Sequence, residues 1–266
     1  MRGIVIACPE KYELICLNNI YLLRERYHCY LPIEIWEIGN EITPETKAHM
    51  KLAKVTFKNV ADYTKYPEHW KGFQVKVFAL YHSSFTEAIL CDADMTFFQN
   101  PEIIFQDENY QKTGTYFFRD LDGWVFHNLR ADSPNCDNPD KFSSLTFYNK
   151  RKAFIQKCLP NQTALFPKEW AYLYAPTPPT QPVKEALQES GVVYFDKSRL
   201  SESLEYIFKL NENHAETYEY VWGDKETFWL GCTMANQPYY FNPTAGFRYN
   251  GRLSHAYQNQ LFWKQR

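Results

Sequence analysis

The sequence predicts an α/β protein with a mostly parallel central sheet flanked by helices, and three observations lead there. Strand-like and helix-like segments alternate through the opening of the chain as βαβαβ, a pattern that builds parallel sheets covered by helices. The run Ala88-Ile-Leu-Cys91 reads as a buried strand and leads straight into the acidic pair Asp92-Ala-Asp94. Ligands of open α/β sheets sit beyond the carboxyl ends of the strands, so the acidic pair stands where such a fold places its chemistry. At 266 residues the chain is long enough to bury a sizeable core.

Each element has its own signal. Ile4-Val-Ile-Ala7 is a short β-branched run ended by Pro9, and Tyr12, Ile15, Cys16, Asn19, Leu22, Leu23 and Arg26 then recur at helical spacing. Ile33-Glu-Ile-Trp-Glu-Ile38 alternates with period two before Gly39, a helix is expected from Thr43-Pro44, and Val55-Thr-Phe57 reads as the next strand. Phe73, Val77 and Leu80 predict a helix over 72–81. Gly114-Thr-Tyr-Phe-Phe118 and Gly191-Val-Val-Tyr-Phe195 read as strands, whereas 131–140 and 175–182 are rich in Pro, Asn and Asp and read as loops. The stretch from Pro176 to Pro182 is too short for a linker, so residues 1–266 are expected to form one domain.

Charge and composition exclude several classes. With 29 Lys+Arg against 31 Asp+Glu, the net charge of −2 offers no field to attract a phosphate backbone, so no nucleic-acid partner is expected. The longest apolar runs, such as Gly3–Cys8, fall far short of the ~20 residues a membrane helix needs, and with no n-region, h-region and cleavage site at the start of the sequence as given, no export signal is expected. Seven cysteines without a C-x-x-C pair argue against a disulfide framework or a zinc knuckle, and reduced thiols in the cytoplasm are the expectation. The 20 Tyr, 20 Phe and 7 Trp suit binding sites and cores equally.

Two carboxylates displayed two residues apart at a strand's end are hard oxygen ligands for a divalent cation, which a nucleoside diphosphate needs as it leaves. Loop capping by the same aspartates is the competing reading. The surroundings resemble glycosyltransferase family 71, the fungal α-1,3-mannosyltransferases. The similar blocks run in order: Gly3–Ala7, Leu22–Arg24, Leu31–Trp36, Gly72–Leu80, Ser84–Asp94, Asn100–Phe105, Thr113–Asp120, Glu189–Lys197 and Gly223–Gly231.

That resemblance implies a GT-A fold, a Rossmann-like sheet forming a single catalytic domain over 1–266. It also implies a GDP- or UDP-sugar donor with mannose favoured, a glycan or other hydroxyl acceptor, Mn2+ or Mg2+ at the D-x-D, and transfer with retention. Members usually carry an N-terminal membrane anchor, so the Golgi lumen replaces the cytoplasm if this chain is a trimmed domain. By the same analogy Asp94 ligates the metal, Asp92 ligates it or holds the donor ribose, and His255 in Arg252-Leu-Ser-His255 resembles a late third ligand. Asp224 and Glu226 either face the sugar as catalytic carboxylates or, for Asp224, cap a helix. Lys76 and Arg24 are candidates for the diphosphate or donor sugar, against the plain reading of solvated charges. Ala7, Cys8 and Tyr12 follow the first strand, where GT-A folds bind the base, and core packing is their alternative. Ser190 and Gly191 precede a strand, where a hydroxyl donor and a close backbone approach suit the sugar, or a plain turn suffices.

Two rivals remain. A HAD-type phosphatase also places D-x-D-x-T after a hydrophobic strand, with Asp92 as nucleophile and Asp94 as acid/base, but its motif sits on a chain's first strand and no G-D-x-x-x-D follows here. A carbohydrate-binding protein without activity would keep the aromatics and need neither aspartate.

Overall fold

The computed structural model describes residues 1–121, 145–176 and 187–266. The loop expected at 131–140 and most of that at 175–182 lie outside the described residues.

Strand β1 (Arg2–Ala7) leads through a short turn into α1 (Glu13–Tyr21), which runs on as one wider turn over Leu22–Arg26. β2 (Ile33–Glu37) and α2 (Pro44–Leu52) follow; Thr43 caps α2 by accepting from the Thr46 amide at 3.3 Å, with Pro44 in the first turn where no N–H is missed. β3 (Val55–Asn59), α3 (Gln74–His82) and β4 (Glu87–Asp92) complete the expected opening. β1 lies parallel between β2 and β4, with Ile4 opposite both Ile33 and Ile89.

Beyond it come β5 (Met95–Phe97), α4 (Glu108–Thr113), β6 (Thr115–Leu121), α5 (Leu145–Cys158), β7 (Gln188–Asp196), α6 (Ser201–Glu212), α7 (His214–Thr217) and α8 (Thr227–Met234). The chain closes with β8 (Phe241–Tyr249), β9 (Arg252–Tyr257) and β10 (Gln260–Gln265). The sheet order is β3-β2-β1-β4-β7-β6-β8-β9-β10-β5. From β3 to β8 every ladder is parallel except those flanking β7, so the mostly parallel central sheet is borne out.

Period-two alternation along the central strands fills two cores at once. Val5, Leu90, Val193 and Phe195 face one core with Trp36, Phe78, Trp70 and Trp229, while Ile4, Ile6, Ile89 and Tyr194 face the other with Ile20, Leu23 and Phe105. The alternation of β2 misleads on one point, because Glu34 and Glu37 are as buried as the residues between them. A strand inside a parallel sheet is covered on both faces. Both carboxylates are therefore satisfied internally, Glu34 by the Ser84 hydroxyl (2.6 Å) and the Trp36 indole (3.1 Å), Glu37 by Lys47 and the Ile42 amide.

The antiparallel edge β8-β9-β10-β5 is absent from the sequence reading. Its signals are two-residue hairpins: Asn250-Gly251 (φ 50° and 74°) and Gln258-Asn259 (φ 49° and 61°) both hold the left-handed pair that twisted hairpins demand.

The crossing of α6 and α8 yields a test. A Cβ on Gly231 would lie 2.4 Å from Ile207 Cγ1 and 3.0 Å from the Ser203 carbonyl oxygen. Gly231→Ala gains ~0.5–1 kcal/mol of helix propensity but overpacks the crossing, which costs about 1–3 kcal/mol. The net expectation is a lower urea midpoint; an unchanged or higher midpoint contradicts the close approach.

Candidate active site

β4 ends at Asp92 on the carboxyl edge of the sheet, and the reversed course of β7 brings Glu189 and Ser190, its first turn of chain, to that same edge. β6 ends there as well, with Asp120 next to its last residue and Phe118 opposite Glu189. Two clefts open over this edge. A β1-side cleft of about 450 Å3 is lined by Ala7, Cys8, Tyr12, Trp36, Ala93 and Asp94 among others. A hairpin-side cleft of about 390 Å3 is lined by Asp120, Glu189, Asp224, Lys225, Arg248 and Arg252 among others. Phe73, Lys76, Asp92 and Gln265 line both and form the seam.

Lys76 projects from α3 into the seam and is buried. Its Nζ lies 2.8 Å from Asp92 Oδ1 and 3.0 Å from Asp224 Oδ2, and donates to the Ser190 carbonyl and hydroxyl oxygens, each at 3.1 Å. Ser190 in turn donates to Asp224 Oδ1 at 3.1 Å. Burial alone would favour a neutral amine, but Asp224 and Asp92 outweigh it and hold the ammonium well above the usual lysine range. Burial also pushes Asp92 up to about 7 despite Lys76, and raises Asp224.

A second lysine repeats the device. Lys225 Nζ lies 2.6 Å from Asp120 Oδ2 and 2.7 Å from Glu189 Oε2. Glu189 is buried, which opposes ionisation, yet Lys225 foremost and also Lys76 and the Gly191 amide hold its carboxyl below the usual range. Asp120 is shifted the other way, raised by burial and by Glu189 against the pull of Lys225. Of these four carboxyls Glu189 is the one held below its usual range.

The turn carrying the acidic pair is braced from two sides. Asn19 of α1 donates to the Ala93 carbonyl at 3.4 Å, and the Arg266 amide donates to the Asp94 carbonyl at 3.1 Å. Asp94 is 6% exposed; burial raises its carboxyl, opposed by its own backbone amide, Lys76 and the Gln265 side chain. Two carboxylates disfavoured in their charged form by burial, at the end of a strand and open to a cleft, are a donor set that a divalent cation would suit. Among the described residues no three His, Cys, Asp or Glu side chains gather as a ready ligand group, so Asp92, Asp94 and His255 do not form one. His255 is fully buried, stacked on Trp263 at 4.2 Å and edge-on to Phe118, with no hydrogen-bond partner at either ring nitrogen; burial lowers it to about 4 and keeps it neutral.

Several expectations change. Glu226 does not line either cleft: it is fully buried, accepting from the Leu187 amide at 2.7 Å, the Gln188 amide at 3.3 Å and the Trp229 indole. It holds the start of β7 against α8, since buried backbone donors must find acceptors. Asp224 is no helix cap; α8 starts after Glu226, and the Asp224 carboxylate is spent on Lys76 and Ser190. Lys76 is no solvated charge. Arg24 lies away from both clefts, its guanidinium donating to the carbonyls of Cys29 (2.5 Å), Leu31 (2.8 Å) and Ala53 (3.1 Å), so it staples α1 to the loop before β2. Ser190 and Gly191 lie within β7, not before it, and a Cβ on Gly191 would meet the Met95 side chain at 2.8 Å, so Gly191 serves packing. Asp120, Glu189 and Lys225 were missed as site residues; Asp120 and Asp92 share one signal, an acid at the end of an apolar strand.

A mostly parallel central sheet with an acidic pair at its carboxyl edge and two clefts meeting there fits a GT-A glycosyltransferase fold. The comparisons agree. The chain aligns over 98% of its length with core-mannan synthase A (CmsA/Ktr4) of Aspergillus fumigatus, crystallised in a Mn/GDP form, at a TM-score of 0.59 and 10% identity over 80% of that chain. It aligns with the Ktr4p mannosyltransferase of S. cerevisiae in complex with GDP at 0.54 and 14% identity, over 95% of this chain and 71% of that one.

The family model described as "Mannosyltransferase putative" matches residues 1–260, and the chain belongs to that family, bearing out the resemblance to glycosyltransferase family 71. Among its relatives are "Putative alpha-1,3-mannosyltransferase MNN1" of Candida albicans, 30% identical over 91% of this chain and 32% of that protein, and alpha-1,3-mannosyltransferase MNT3 of Saccharomyces cerevisiae, 26% identical over 92% and 39%. The chain spans about a quarter to a third of the length of the first curated relatives it matches. Membership removes the phosphatase reading. Among the described residues no helix is long and apolar enough to cross a membrane, and the comparisons lend no support to the cytoplasmic placement.

The lysine bridge predicts a pH-dependent defect. Lys76→Met leaves Asp92 and Asp224 buried without their cation, and breaking such a pair costs roughly 3–5 kcal/mol. Both carboxyls sit above the usual range, so acid neutralises them and relieves the loss. Urea denaturation should show a larger destabilisation at pH 8 than at pH 5; an equal loss at both would mean the bridge contributes packing alone.

Proposed function

We propose that this chain transfers a hexose, mannose in the first instance, from a nucleoside-diphosphate sugar to a hydroxyl of a glycan, with retention at the anomeric carbon. The observation that carries the reading is the position of Asp92 and Asp94, at the end of a buried strand where two clefts meet. Membership in a mannosyltransferase family supports the sugar, and the GDP held by the solved Ktr4 structures supports guanine over uracil in the donor.

In this reading the donor occupies the β1-side cleft. Ala7, Cys8 and Tyr12 lie at the carboxyl end of β1 beside Trp36, where a base would rest, and the diphosphate would lie toward the seam. Asp94 and Asp92 are the residues that would hold Mn2+ or Mg2+ together with the diphosphate. A bound divalent cation supplies the positive charge that offsets the leaving diphosphate. Asp224, fixed by Lys76 and Ser190, keeps Lys76 at the seam, where its ammonium faces the same developing charge. Glu189, ionised and pointed at the hairpin-side cleft, is better placed than Glu226 to steady positive charge at the anomeric carbon.

Asp94→Asn should lower turnover by at least 10²-fold with the melting temperature little changed, and EDTA should do the same to the wild type. The assay is release of nucleoside diphosphate from a panel of GDP- and UDP-sugars. Activity of Asp94→Asn within tenfold, only ~1.4 kcal/mol of barrier, is incompatible with the metal role, and no release from any donor leaves a carbohydrate-binding protein as the reading.

Proton competition gives an independent check on the same pair. Because Asp92 is raised to about 7, it binds a proton below that pH, and a metal must displace it. Apparent Mn2+ affinity should fall by up to about tenfold per pH unit below 7. Titration calorimetry in the presence of GDP at pH 6 and pH 8 measures it; equal affinities would take Asp92 out of the ligand set.

A further inference from the structure

We infer that Asn19 of α1 is a positioning residue for the acidic pair: its side-chain amide grips the chain on both sides of Asp94, at the Ala93 carbonyl and the Thr96 hydroxyl, and so sets the separation of the Asp92 and Asp94 carboxylates. This rests on the transferase reading above, and it names a residue outside both clefts on which the metal site of that reading depends.

Asn19 stands where the helical pattern calls for an apolar side chain. The buried face of α1 is Cys16, Asn19 and Ile20, with Leu23 in the next turn, and its apolar members share one core with Ala93, Met95 and Phe97. Asn19 is only 6% exposed there. An amide is a weak helix former, and taking it out of water is unfavourable unless its polar atoms find partners. Apolar residues in place of Asn19 and Thr96 would serve the fold as well, since replacing both members of a buried hydrogen bond by apolar groups can be nearly neutral. The amide is therefore better explained by where it holds the chain than by stability.

What it holds is the turn of the acidic pair. β4 ends at Asp92 and β5 begins at Met95, so only Ala93 and Asp94 join the two strands. Asn19 Nδ2 donates to the Ala93 carbonyl at 3.4 Å, and Asn19 Oδ1 accepts from the Thr96 hydroxyl at 2.8 Å. Thr96 is as buried as Asn19. One planar group thus spans the residue before Asp94 and the second residue after it. The last strand holds the other shoulder: β10 pairs with β5, Gln265 lies opposite Met95, and the Arg266 amide donates to the Asp94 carbonyl at 3.1 Å. Groups that orient metal ligands from behind matter to binding, and their loss typically costs roughly 10–100-fold in metal affinity.

The test titrates Mn2+ into the full chain with GDP and reads free Mn2+ by electron paramagnetic resonance, alongside the melting temperature. Thr96→Val is close to isosteric and removes only the hydroxyl, whereas Asn19→Ala removes both contacts. Each should weaken Mn2+ affinity on the order of tenfold at a temperature well below its own melting, with Thr96→Ser, which keeps the hydroxyl, within twofold of wild type. The double variant should lose no more than Asn19→Ala alone, because the two residues act through one link. Mn2+ affinity within twofold of wild type in both Thr96→Val and Asn19→Ala would overturn the proposal, and so would an equal loss in Thr96→Val and Thr96→Ser. Should Asn19→Ala fail to fold, the two Thr96 variants decide alone. Mn2+ binding that depends on Asn19 and Thr96 in a chain that releases no nucleoside diphosphate from any donor would leave the positioning role standing and remove the transferase reading; a wild type that binds no Mn2+ would remove both.

Discussion

The buried ammonium of Lys76 is the constraint on which the carboxyl edge of the sheet depends. It ties α3 to Asp92 of β4, to Ser190 of β7 and to Asp224 in the turn before α8, with contacts of 2.8 to 3.1 Å. Without a cation there, Asp92, Asp224 and Glu189 would face one another in a poorly solvated cleft. Taking these charges out of water costs several kcal/mol per ion, and a well-packed apolar cluster would serve stability as well. The arrangement is better explained by what it presents: carboxylates held at fixed positions, each beside a positive charge that its neighbours set.

The two lysine bridges sort the carboxylates by environment. Asp92, Asp120 and Asp224 are pushed up by burial, while Glu189 is pulled down because Lys225, Lys76 and a backbone amide all favour its charged form. Neighbouring acids driven in opposite directions provide one group able to take up a proton and another that stays negative, the separation that acid–base and charge-stabilising chemistry requires.

The sheet makes this possible through one reversed strand. β7 runs against β4 and β6, so the first residues of β7 arrive at the edge where the other two end. Asp92, Asp120 and Glu189 come from three strands far apart in the chain, yet share a few residues of sheet edge. Glu226 supports this from behind by accepting the amides of Leu187 and Gln188, which fixes where β7 begins.

The sequence by itself determined the opening βαβαβ, the strand ending in Asp92, the family, and the carboxyl edge as the place for chemistry. The family came from the resemblance of ordered blocks along nearly the whole chain; the others are local properties, since apolar period, Gly and Pro punctuation, and an acid after a buried run all lie within a few residues of one another. Only the tertiary structure decided what each charged residue does. Arg24, Lys76 and Glu226 look alike in sequence as charges within helical or turn segments, but one holds three carbonyls, one bridges two aspartates and one satisfies backbone amides. The partners that separate them lie as far as 148 residues away along the chain, as from Lys76 to Asp224, and no local pattern encodes such distant pairings. The antiparallel β8–β10 edge escaped for a different reason: its strands are half exposed and mixed in polarity, so their strong local signals were the left-handed hairpin pairs Asn250-Gly251 and Gln258-Asn259.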